Sequence, residues 1–347
     1  MKKSSIILSA FAMFLLLSCD SGTVNKGGID GNEEMMGDPV YSTERDALEA
    51  NGEISFDGKE TVYFSFNEGK AIECEQNSKE WDLKFENWFI FTNGGISGKN
   101  AGGGVYMKAD HYDEISAVNV PGMVFTDNLG SVFDNWYDAD MTDTFTISTK
   151  GFVYLVKKGE KTYKVSVVSY YGEAQGSPVS AVYTIKFADL DAPEKVQTVE
   201  NINATAGGTE AKGDGAYFSF ENGILDLTDK AAGDSTEWDM KFKRFNINLN
   251  SGVSGKGEVK GVKLSRTDFD AVTSTDIPDE SAFEEDRIRP VIDRWGVFDG
   301  ETVEYPDFYY IIRTGNGRNW FKFYPLEVKN PSENGYSSLK FRFDKLK

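Results

Sequence analysis

Trp81-Asp-Leu-Lys-Phe85, followed by Thr92-Asn-Gly-Gly-Ile-Ser-Gly-Lys99, returns as Trp238-Asp-Met-Lys-Phe242 and Leu249-Asn-Ser-Gly-Val-Ser-Gly-Lys256. Both blocks recur at an offset of 157 residues, and the upstream Val62-Tyr-Phe-Ser-Phe66 recurs as Ala216-Tyr-Phe-Ser-Phe220 at 154. A period this long exceeds any solenoid repeat and matches a whole domain, so the chain carries two domain copies. The sequence around the blocks is that of a sheet protein. Thr61-Val-Tyr-Phe-Ser-Phe66 and Phe152-Val-Tyr-Leu-Val156 are rich in aromatic and β-branched residues, and Thr162-Tyr-Lys-Val-Ser-Val-Val168 and Val182-Tyr-Thr-Ile-Lys-Phe187 alternate with period two. Phe308-Tyr-Tyr-Ile-Ile-Arg313, Trp320-Phe-Lys-Phe-Tyr324 and Ser338-Leu-Lys-Phe-Arg-Phe343 continue the series, with Arg313-Thr-Gly-Asn-Gly317 as a hairpin turn. Helical spacing occurs only in short pieces such as Asp279 to Arg289. The expectation is an all-β chain of two antiparallel β-sandwich domains, the last two strands of each copy being neighbours.

On the Trp-Asp-x-Lys-Phe strand, alternation puts Trp81, Leu83 and Phe85 on the core face and Asp82 and Lys84 on the other. The aspartate is expected to close a turn or accept backbone N–H groups. The glycines of Asn93-Gly-Gly-Ile-Ser-Gly-Lys99 suit tight turns with positive φ. Asn100 follows Lys99, so the order of a phosphate-binding loop is absent.

The chain opens with an address. Lys2 and Lys3 precede the apolar run Ile6 to Leu17, which is too short to span a bilayer, and Leu16-Leu-Ser-Cys19 is a lipobox. Residues 1–19 read as a lipoprotein signal peptide, with Cys19 lipidated as the mature N-terminus. The product is expected in the cell envelope, lipid-anchored, at the outer membrane and exposed on the surface. Loss of Lys2 and Lys3 takes the formal net charge from -19 to -21, which argues against nucleic-acid partners. Cys74 is then the remaining cysteine, and Glu73 and Glu75 beside it favour an inert, partly buried thiol.

Residues 20–55, rich in Gly, Asn, Asp and Glu, read as a flexible tether. A second break, around Asp-Leu-Asp-Ala-Pro193 and Asn201-Ile-Asn-Ala-Thr-Ala-Gly-Gly208, places domain one at 56–190, a linker at 191–209 and domain two at 210–347.

Taken in order, Tyr217-Phe-Ser-Phe-Glu-Asn-Gly223, Trp238-Asp-Met240, Leu249-Asn-Ser-Gly-Val-Ser-Gly-Lys-Gly257, Gly261 and Phe308-Tyr-Tyr-Ile-Ile-Arg-Thr-Gly-Asn-Gly317 resemble the HmuY family of haem-binding lipoproteins. Domain one carries Tyr63-Phe-Ser-Phe66, Trp81-Asp-Leu83 and Asn93-Gly-Gly-Ile-Ser-Gly-Lys99 of the same set. The resemblance covers nearly all of both domains, and implies two tandem HmuY-like antiparallel β-sandwich domains. It also implies capture of haem or a related tetrapyrrole for iron acquisition, with delivery to a TonB-dependent outer-membrane receptor.

In that family the haem iron sits between two side chains, histidines or methionines. The one histidine here, His111, has Asp268 as its counterpart and lies away from the family's ligand positions. The first position falls in the interval Val120-Pro-Gly-Met-Val-Phe-Thr-Asp-Asn128, and the second about five residues after a tryptophan, which from Trp136 is Met141 and from Trp295 is Gly300. The resemblance therefore implies a Met123–Met141 thioether pair on haem iron in domain one, sheltered by Phe125, Phe133, Trp136 and Tyr137, with domain two structural. The competing reading takes both methionines as packing residues. It makes the chain a surface glycan- or protein-binding module, or a structural envelope lipoprotein, with Trp88, Tyr171 and Trp320 as exposed aromatics.

Other chemistry is thin. Asp138-Ala-Asp-Met-Thr-Asp143 lacks the glycine and terminal glutamate of an EF-hand loop and reads as a solvated acidic loop. With one histidine and no nucleophile elbow, an enzyme is not expected.

Overall fold

The structure is a computed structural model of the chain. It describes residues 41–42, 49–98, 100–108, 112–113, 124–140, 146–174, 177–206 and 213–346. Strands follow one another in four blocks. The first holds β1 (Tyr41–Ser42), β2 (Gly52–Ser55), β3 (Val62–Ser65), β4 (Lys70–Ile72), β5 (Leu83–Glu86), β6 (Phe89–Thr92), the one-turn α1 (Gly95–Gly98), β7 (Gly103–Lys108) and β8 (Asn128–Gly130). The second holds β9 (Tyr137–Asp140), β10 (Thr146–Thr149), β11 (Val153–Lys158), β12 (Lys161–Ala174) and β13 (Ser177–Asp189). The third repeats the first with β14 (Gln197–Asn203), β15 (Ala216–Ser219), β16 (Gly223–Leu225), α2 (Asp229–Ala232), β17 (Met240–Lys243), β18 (Asn246–Leu249) and β19 (Lys260–Leu264). The fourth opens with β20 (Arg287–Arg289), the counterpart of β8, and then repeats the second with β21 (Val297–Phe298), β22 (Val303–Pro306), β23 (Phe308–Arg313), β24 (Trp320–Lys329) and β25 (Ser338–Lys345).

The chain is all-β, and its sheets are antiparallel. Its compact units, however, are not the sequential halves 56–190 and 210–347. One unit is the continuous stretch Gly130–Arg287; the other joins the described residues up to Leu129 to those from Ile288 onward. The continuous unit has a five-stranded sheet in the order β14-β13-β12-β11-β19 and a four-stranded sheet β16-β15-β17-β18. The split unit has the same two sheets with the equivalent strands, β2-β25-β24-β23-β7 and β4-β3-β5-β6. Each copy has thus given its last three strands to the first half of the other. The exchange keeps register: Leu155 and Val156 of β11 oppose Val262 and Gly261 of β19, as Ile311 and Ile312 of β23 oppose Val105 and Gly104 of β7. The stretch expected as a linker is also a sheet element, since β14 pairs along β13.

In each unit the two sheets share one core. In the continuous unit Tyr154, Val156, Val165 and Ile185 meet Phe218, Met240, Phe242 and Leu249; in the split unit Tyr310, Ile312, Phe323 and Phe341 meet Phe64, Leu83, Phe85 and Ile90. Strand β11 is buried on both faces because Phe269, Val272 and Phe283 cover its outer side, packing on Val153 and Leu155. That double burial explains the unbroken apolar run in its sequence. The helical piece expected at 279–289 is instead a single 3-10 turn, Glu280–Ala282, followed by strand. Glu284 exchanges two backbone hydrogen bonds with Gly261, so the free edge of β19 captures this segment as extended chain.

Candidate functional site

The repeated blocks turn out to be the frame of each unit. Trp81 and Trp238 are fully buried. Asp82 accepts the backbone N–H of Phe66 at 2.9 Å and of Gly315 at 3.0 Å. Asp239 accepts from Phe220 N at 2.8 Å, and its other oxygen pairs with the Lys158 ammonium at 2.8 Å. The expected role as an acceptor of backbone N–H groups therefore holds. Asp82 and Lys84 are both buried, Lys84 lying over the Phe91 ring and paired to Glu86 at 2.8 Å. Asn93 and Asn250 donate their amides to Trp81 O and Trp238 O at 2.7 and 2.8 Å, locking the strand to the turn that follows. In those turns Gly95 (φ +59°) and Gly252 (φ +52°) take the left-handed conformation. A Cβ there would fall 1.9 Å from Asp127 O and 2.0 Å from Asp286 O, so the glycine is required sterically as well as conformationally.

Sequence reasoning missed two residues of this frame. Asp127 accepts from Thr92 N (2.8 Å), Thr92 Oγ1 (3.1 Å) and Val291 N (2.9 Å). Asp286 accepts from Asn248 Nδ2 (2.9 Å) and Leu249 N (3.0 Å). Burial pushes each carboxyl up to about 6, against the donors that favour the anion. Their signal in the sequence is faint: an aspartate in each copy, 159 residues apart, in surroundings that otherwise differ. A second missed pair is Lys164 and Lys322, buried ammonium groups that cap carbonyls of the segment after β19 and β7. Lys164 reaches Phe269 O and Val272 O at 3.1 and 3.0 Å, and Lys322 reaches Tyr112 O. The aromatic ring at each place lies between two cations, Phe269 by Lys164 and Lys186, Tyr112 by Lys322 and Arg342.

An aromatic cluster packs at the base of the β9–β10 hairpin. Trp136 donates its indole N–H to Phe245 O at 2.8 Å, and Tyr171 accepts the Ile147 N–H at 2.9 Å, which pins both hairpin strands to the sheet. Beneath lie Tyr170 and Tyr183, with the Trp136 ring 5.3 Å from Tyr183. At the rim, half-buried Tyr137 and Phe245 rings stand 5.8 Å apart. The split unit repeats the device with Trp295, whose indole donates to Trp88 O at 3.0 Å. Burial raises the pKa of Tyr137, Tyr170 and Tyr183, so these phenols stay neutral.

Of the residues expected at a site, Met123, Met141 and Cys19 lie outside the described residues, as does His111, the one histidine. Phe133 and Trp136 are core, the Phe133 ring tilted against that of Tyr154 with centroids 4.2 Å apart, so they do not border an open slot; Phe125 is half-buried and bridges Gly104. Trp88, Tyr171 and Trp320, expected exposed, are half-buried: Trp88 stacks on Trp295 and Phe298, and Arg313 lies over Trp320. Cys74 is half-buried, and burial together with Glu80, Glu73 and Glu75 raises its thiol pKa, as an inert thiol requires. Among the described residues no three of His, Cys, Asp and Glu converge to hold a metal ion, and no helix is long and apolar enough to cross a membrane.

No curated protein matches the chain. The family described as HmuY protein matches residues 211–343, one of the two copies, and so a stretch whose two halves contribute to different units.

Proposed function

We propose that this chain is an exported, non-enzymatic lipoprotein, anchored through Cys19, that captures haem or a related tetrapyrrole for iron acquisition and passes it to a TonB-dependent outer-membrane receptor. The observation carrying the reading is the similarity of residues 211–343 to the HmuY protein family. The same strand order in both units supports extending it to the first copy. At the rim of the aromatic hairpin base the half-buried Tyr137 and Phe245 offer ring surface to a flat apolar ligand. Met123 and Met141 are the proposed thioether ligands to haem iron. Their described neighbours Val124 and Asp140 belong to different units, so each methionine is tested by itself.

The test is titration of the chain lacking residues 1–19 with haem, read by absorbance in both iron states. Saturable one-to-one binding with a spectrum altered in Met123→Ala or Met141→Ala supports the assignment. Saturable binding indifferent to both substitutions moves the ligands elsewhere. Binding no stronger than to a nonspecific control protein removes haem as the ligand.

A further inference from the structure

The strand exchange leaves a question that geometry answers. Both sheet edges that receive a terminal block present the same surface at the same register. Gly104 lies opposite Ile312 and Gly261 opposite Val156, and an added Cβ would meet equivalent groups at both, Ile311 O at 3.2 Å and Val291 Cγ1 at 3.4 Å at the first, Leu155 O at 3.5 Å and Val132 Cγ2 at 2.7 Å at the second. Next along, Val105 and Val262 take Ile311 and Leu155. By this register β11–β13 fits β7 as well as β19. A sequential closure, each copy folded on itself, is therefore an available alternative.

What distinguishes the two closures is the connection from β13 to β14. It has seven residues, Leu190–Val196, and it is folded. Ala192 N donates to Asp189 O, Lys195 N to Ala192 O, and Asp191 N to the Asp189 carboxylate, each near 3.0 Å. Leu190 donates to Thr162 O and is buried against Val153, Leu155 and Phe269. The turn sets β14 directly along β13, with Phe187 opposite Gln197 and Val182 opposite Asn203. Consecutive strands pair at the smallest loop-closure cost and form first. In the sequential closure β13 would take β2 as neighbour and β14 would take β25. The same residues, reaching at most about 25 Å, would then have to unfold their turn and bridge two domains.

We propose that the turn Leu190–Val196 commits this chain to the exchanged closure over an otherwise compatible sequential one. The test uses the chain lacking residues 1–19 and carrying C74S, with L155C combined with V262C or with V105C, unfolded, refolded under reducing conditions and then oxidised. With the natural turn, only L155C/V262C crosslinks. With about twenty Gly/Ser residues inserted between Glu194 and Lys195, L155C/V105C rises from background to about half of the molecules, the share of two closures of equal free energy. Where the insertion impairs folding, a chain nicked at a protease site in the same turn and then refolded gives the same comparison. A folded insertion or nicked chain that crosslinks only through V262C overturns the proposal, as does crosslinking through V105C with the natural turn.

Discussion

At the scale of single residues, the buried aspartates are the groups most sensitive to conditions. Asp127 and Asp286 have folded-state pKa values of about 6, above the ordinary aspartate value near 4. The folded chain therefore binds these protons more tightly than the unfolded chain. Their cost is full above pH 6 and is relieved as pH falls toward 4, by up to about 3 kcal/mol for each group. Urea unfolding at pH 7 and pH 5 should show the wild type gaining stability on acidification, with D127N and D286N each flattening that slope; equal slopes in all three would refute the assignment. The turn glycines give a second prediction. G95A and G252A should each cost more than about 2 kcal/mol, because φ is positive and the new Cβ meets a carbonyl. G233A, with φ -59° and no atom closer than 3.6 Å, should change the melting temperature little. Glycine and tryptophan roles were legible in sequence because few residue types satisfy them. The aspartates were not, since an acidic residue in a chain with 56 of them carries no mark of burial.

At the scale of elements, hairpins join the exchanged parts by different chemistry in the two units. The β11–β12 hairpin brings Lys158 to the buried Asp239, whereas the β23–β24 hairpin brings the Gly315 N–H to Asp82. Removing the ammonium leaves Asp239 with an uncompensated buried charge, so K158M should cost about 3 kcal/mol. K161A, which breaks an exposed pair with Glu221 at 3.7 Å, should cost less than about 1 kcal/mol. Comparable effects of the two on chemical denaturation would count against the buried pair. Strand identities were readable from alternation and from the Thr-Gly-Asn-Gly turn, whose Gly317 N–H closes onto Thr314 O at 2.8 Å. The segment at 279–289 was misread because its spacing suits a helix, but its Glu284 backbone completes the β19 edge, and edge pairing outweighs weak local propensity.

At the scale of the whole molecule, exchange changes which ends of the chain depend on each other. A chain ending at Ser337 lacks β25, which lies between β2 and β24 in the split unit. Hydrogen exchange by mass spectrometry should then show lost protection in β2, β7, β23 and β24, with β11 to β14 retained. A sequential tandem would instead lose protection at β14 and β19, in the copy from which the strand was cut. A site built within one unit, from the segment after β19 and the hairpin before β11 or from the segment after β7 and the hairpin before β23, takes its halves from different copies.

The amino-acid sequence alone determined that this is an all-β protein with two copies of one domain, because period, alternation and turn residues act over a few neighbouring positions. It also carried the likeness to the HmuY family, since the frame residues Trp, Asp, Asn and Gly recur in order. Which half closes on which was decided only in three dimensions. Two copies with the same register offer equivalent edges, and the choice between them rests on a folded seven-residue turn, while the pairings it selects, as between Leu155 and Val262, lie more than a hundred residues apart. A local pattern is the same whichever partner it meets; the partner is settled by chain connectivity and the entropy of closing it.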